Sequence, residues 1–62
     1  MWMIYSERFV DNKAVRWFYG TYADRDRANE LALQLKDQYR DPNLWFCVIP
    51  AEDAEAYGVL GL

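Results

Sequence analysis

Few side chains in this chain can do covalent chemistry, and they do not come as a set. Cys47 is the single cysteine, Ser6 the single serine and Thr21 the single threonine, and no histidine is present to activate any of them. Cys47 alternates with Trp45 and Ile49 along an apolar run, which is the setting of a small buried hydrophobe. A reactive thiol is the alternative reading of the same residue. No glycine-rich phosphate loop occurs. The sequence therefore predicts a protein without catalysis and calls for no cofactor.

Carboxylates gather in two places. Asp24 and Asp26 open a predicted helix, where the helix dipole favours negative charge. Glu52, Asp53 and Glu55 are denser and can in principle attract a hard cation, but they lack the glycine-containing loop spacing of a calcium site. With one cysteine and no histidine, the usual zinc sites are excluded and no intramolecular disulfide can form. The charge is unevenly spread. Residues 1–40 hold all seven bases against six acids, whereas residues 41–62 hold no base and four acids: Asp41, Glu52, Asp53 and Glu55. The net charge of −3 and pI near 4.6 argue against a general phosphate-backbone binder.

The elements that must position these residues follow from periodicity. Trp2 to Val10 and Val15 to Tyr22 are aromatic and β-branched, and Asp11-Asn12-Lys13-Ala14 between them is polar and turn-forming, so the pair reads as a β-hairpin. With Val10 opposite Val15, Arg8 falls beside Trp17 and Tyr5 beside Gly20. Asp24 is the expected N-cap of a helix over Arg25 to Arg40, with Ala28, Leu31, Ala32, Leu35 and Tyr39 on one face. Asp41-Pro42-Asn43 stops it. Leu44 to Ile49 is a third strand, apolar on both faces and so expected to be central or covered on each side. Pro50 ends that strand. Ala51 to Tyr57 then predicts a brief acidic helix closed by Gly58, and Val59 to Leu62 an apolar tail.

The whole is one domain, 1–62, of α+β class. The expected ββαβ arrangement has an N-terminal antiparallel hairpin, one amphipathic helix on a three-stranded sheet, and a short acidic C-terminal turn or tail. A right-handed crossover sets the third strand parallel to the second or to its neighbour, with its position in the sheet left open. No apolar run is long enough to span a bilayer and no signal peptide is evident, which predicts a reduced, cytoplasmic, soluble protein.

The strand-to-helix junction Gly20-Thr21-Tyr22-Ala23-Asp24-Arg25-Asp26-Arg27-Ala28 resembles that of many small bacterial and phage-encoded proteins. In these a strand ends in glycine, any residue, an aromatic and a polar cap, and an alanine begins the buried helix face. The similarity extends to Tyr39-Arg40-Asp41-Pro42 and covers residues 15–49. It implies a ββαβ fold and a bacterial or phage origin, and it carries over no catalytic residue. By analogy with other small phage proteins, it points towards inhibition of host defence systems.

One helix covers only one side of such a sheet. Trp2, Ile4, Trp17 and Tyr19 are expected on one face, and Met3, Tyr5, Phe9, Phe18 and Tyr22 on the other. The uncovered set needs the Val59 to Leu62 tail, a second copy of the chain, or a partner protein. Leu33 stands opposite the buried stripe, among charged and polar neighbours. The residues expected at a partner surface are Trp2, Trp17, Tyr19 and Leu33, with Glu52, Asp53 and Glu55. The resulting expectation is a non-enzymatic protein-binding module, of the kind that inhibits a CRISPR or restriction nuclease by placing its acidic end in a basic groove. A structural or regulatory homodimer is the alternative. Nucleic-acid or nucleotide binding by the aromatic sheet is the third, disfavoured by the few bases on the strands.

Overall fold

The computed structural model describes residues 1–62. The order of elements is β1 (Trp2–Val10), β2 (Lys13–Tyr22), α1 (Arg25–Gln38), β3 (Leu44–Pro50) and a 3-10 turn over Ala51–Asp53. This is the expected α+β, ββαβ arrangement.

The hairpin turns in two residues rather than four. Asp11 and Asn12 both have positive φ, 52° and 65°, the left-handed pair demanded by a tight hairpin whose twist matches its strands. Aspartate and asparagine are among the few non-glycine residues that tolerate this region. The shorter turn moves the register by two. Val10 now faces Lys13, Arg8 faces Val15 and Tyr5 faces Phe18, so the expected Arg8–Trp17 and Tyr5–Gly20 neighbours do not form.

A bulge opposite Ile4 and Tyr5 inserts Tyr19 as an extra residue in β2, and beyond it Ile4 faces Gly20 and Trp2 faces Tyr22. The extra residue reverses which way the end of β2 points. Tyr22, expected with Met3 and Tyr5, instead packs against the helix layer. Its ring covers Gly20, where a β-carbon would come within 2.8 Å of the Tyr22 hydroxyl.

The strand order is β2-β1-β3, antiparallel throughout. The crossover through α1 therefore skips over β1, and β3 runs in the direction of β2 without touching it. β1 is the central strand and β3 an edge. The apolar character of β3 on both faces reflects two covers, α1 on one side and the following chain on the other.

Asp24 caps α1, accepting hydrogen bonds from the backbone N–H of Asp26 at 2.9 Å and of Arg27 at 3.5 Å. The helix stops two residues short of the expected end. Tyr39 closes the last turn on the Leu35 carbonyl and then takes an extended backbone. Ala28, Ala32 and Leu35 seat on Ile4, the one fully buried large side chain, with Phe46 and Val48 of β3 alongside. The axis of α1 therefore runs above the seam between β1 and β3.

On the opposite face Met3, Tyr5 and Ile49 are covered by Ala54 and Val59. After Gly58, at φ 66°, the chain reaches β2. The Phe18 N–H donates to the Leu60 carbonyl and the Leu60 N–H to the Arg16 carbonyl, each at 2.8 Å. Of the three covers open to this face, the tail supplies one. Only nine residues are buried, so each layer is about one side chain deep. No helix is long and apolar enough to cross a membrane.

Candidate functional site

Because α1 lies over the β1–β3 seam, the hairpin end of the same sheet face has no roof. Trp17 and Tyr19 of β2, Phe46 and Leu44 of β3, and Tyr39 after the helix line a groove there of about 430 Å³. Phe46 forms its floor. Tyr19 meets that ring edge-on at 6.0 Å between centroids, and Tyr39 leans on it at 5.9 Å. Trp17 remains 53% exposed and Tyr19 47% exposed. At the rim, Arg8 pairs with Asp41 at 3.3 Å, both side chains open to solvent. A surface pair of this kind orients its partners while adding little stability.

The structure distributes the expected partner residues over separate places. Trp17 and Tyr19 meet in the groove. Trp2 is half-buried in the helix layer, with the Arg25 guanidinium 5.6 Å from its ring centre. Leu33, 73% exposed, stands on the far side of α1, over the outer edge of β3. Glu52, Asp53 and Glu55 are exposed just beyond the C-terminal end of β3 and make no ion pair. Asp41 lies before the other end of that strand, about 20 Å away at the usual rise per residue. The acids of the C-terminal third do not form one patch.

The second face holds a polar cluster that the misread register concealed. Glu7 stands directly opposite Arg16 and pairs with it at 3.4 Å. Arg16 also donates to the Tyr57 carbonyl at 2.9 Å and lies over the rings of Tyr5 and Tyr57, 5.8 Å from each centre. It ties the two strands of the hairpin to the tail. The Asp11-Asn12 dipeptide and the Glu7/Arg16 charge match together carried the correct register.

Cys47 belongs to this cluster, its thiol donating to Glu7 at 3.9 Å. Burial pushes the Cys47 thiol up from its ordinary range. Burial, then the hydrogen bond with Cys47, pushes Tyr5 up to about 12. Both groups are held neutral. A thiolate nucleophile needs the opposite environment, so the surroundings of Cys47 favour packing over reactivity. No three cysteine or acidic side chains converge as a metal-binding group.

These features define a small ββαβ protein of the α+β class with one open aromatic groove. Comparison with protein-family models, with curated proteins and with solved structures found no match.

Proposed function

We propose that this chain is a non-enzymatic binding module that acts by occupying another protein, and that the groove around Trp17 and Tyr19 is its binding site. The observation carrying this reading is the concentration of half-exposed aromatic side chains around Phe46, at the end of the sheet face that α1 leaves open. Such aromatic clusters, rigid and partly desolvated before contact, supply most of the affinity at protein interfaces. The preferred occupant is a protein segment presenting an apolar side chain to Phe46. Arg8 is already neutralised by Asp41 and Arg16 by Glu7, which favours protein over nucleic acid.

The finer reading is inhibition of a host defence nuclease, of the kind carried by phages and mobile elements. Glu52, Asp53 and Glu55 support it as an unpaired group of one sign suited to steering towards a basic surface. They sit by the tail-covered side of the sheet, so they would add a second contact and not extend the groove. The test is a paired capture from a host lysate with the wild type and Trp17→Ala/Tyr19→Ala, both shown to be folded. The expected result is a protein retained by the wild type and lost with the double variant. A partner retained equally by both would overturn the groove as the site.

A further inference from the structure

We infer that the outer edge of β3 is a self-association surface, on which two copies pair their β3 strands antiparallel about a two-fold axis through Cys47. The inference is independent of the groove around Trp17, which lies on the other side of Phe46.

The two edges of the sheet are treated differently. The edge of β2 is capped at its middle by Leu60, whereas nothing pairs with the edge of β3. The Ala51 N–H donates to the Met1 carbonyl, which fixes the phase of the β1–β3 ladder. Odd-numbered residues of β3 turn their backbone groups towards β1, and Leu44, Phe46, Val48 and Pro50 turn theirs outward. The ends of this outward row are already closed. The Leu44 N–H donates to the Asp41 carbonyl, the Leu44 carbonyl accepts from Lys36 Nζ at 2.6 Å, and Pro50 has no N–H. Only Phe46 and Val48 offer free donors and acceptors.

A Cys47-centred register satisfies all of them. Each copy's Phe46 faces the partner's Val48, and Leu44 faces the partner's Pro50, where neither needs a further backbone bond from the other. Moving the pairing by one ladder step in either direction sets Val48 against a closed Leu44, or Phe46 against Pro50. The edge is self-complementary in one register.

The surroundings fit a second strand. A groove of about 330 Å³ runs along this edge, walled by Asn29, Leu33 and Lys36 of α1 and by the indole of Trp45. The Lys36 ammonium keeps its charge but is held in place, bonded to two carbonyls and 3.9 Å from the Trp45 ring centre, at the Leu44 end of the groove and away from Phe46 and Val48. With α1 above the β1–β3 seam, the seam lies one strand spacing from the two-fold axis. The two helix axes would then be about 9.6 Å apart, within the normal distance for packed helices. Leu33, one helical turn back from Lys36 and hence near the level of Cys47, would meet the second copy. Such pairing would also enlarge a core of only nine buried residues.

Sedimentation of the full chain from about 10 μM to about 1 mM tests this, together with deuterium exchange and Leu33→Glu. The expected mass rises from monomer to dimer. The Phe46 and Val48 amides gain protection as the dimer forms, while other amides outside the interface do not. Leu33→Glu, at an exposed site, keeps the fold but weakens association about tenfold or more. A monomer throughout the range would overturn the inference. So would association that leaves the Phe46 and Val48 amides unprotected, or that Leu33→Glu does not weaken.

Discussion

Gly61 lies against the indole of Trp17 so closely that a β-carbon at this position would come within 2.7 Å of the ring. Its φ of 82° is also in the region that suits glycine. Gly61→Ala must therefore move the ring or release the tail. The expected loss is about 1–3 kcal/mol, read as a lower urea midpoint together with a change in tryptophan emission.

Arg16 joins β1, β2 and the tail through Glu7 and the Tyr57 carbonyl. Arg16→Ala removes all of these contacts at once and should cost about 1–3 kcal/mol. Arg16→Lys should recover only part of this, because a lysine ammonium lacks the fork that reaches both acceptors. Limited proteolysis distinguishes a tail effect from a general one: cleavage should begin within residues 54–62 while the hairpin remains intact.

Tyr5 is neutral in the fold up to a pH of about 12, against an ordinary value of 10.0. The folded state thus holds a proton that the unfolded chain gives up first. Its stabilising contribution is complete below pH 10 and is lost as the pH climbs towards 12. Urea midpoints should fall across that window, with a smaller fall in Tyr5→Phe. Ultraviolet titration should show a late-ionising tyrosine in the wild type that is absent from Tyr5→Phe.

Asp24 holds the first turn of α1 through its contacts with the N–H groups of Asp26 and Arg27. Asp24→Ala should cost about 1 kcal/mol and Asp24→Asn much less, since asparagine also caps. Thermal melts followed by circular dichroism measure both.

Ile4 is 0% exposed beneath Ala28, Ala32 and Leu35. Ile4→Val should cost about 0.5–1.5 kcal/mol and Ile4→Ala about 2–5 kcal/mol. The small size of the alanines above leaves little side-chain freedom to refill the space.

The element order was legible because each signal was local. Asp24 with the spacing of Ala28, Ala32 and Leu35 marks the helix, Pro42 its limit, and the aromatic runs the strands. Register was not legible from apolar content, since both faces of the hairpin carry aromatics and a two-residue shift keeps every side chain on its own face. The bulge at Tyr19 was hidden for the same reason, and it displaced Tyr22. For the site, Trp17 and Tyr19 were readable as neighbours by alternation. Phe46 and Tyr39 join them only through the position of β3 beside β1, which the sequence left open. Asp41 separates from the later acids because a strand lies between them, a distance that a count of charges does not express.

The pairing of β3 with β1 also sets an order in time. The hairpin closes through Asp11 and Asn12 by local steps, on a timescale of microseconds, but the sheet is complete only when the chain has looped through α1 and returned to β1. That closure is the entropic barrier. Ile4, where β1, α1 and β3 meet, should therefore carry the folding nucleus, and its truncation should slow folding. Val59, added when the tail docks, should instead govern how fast the native state comes apart.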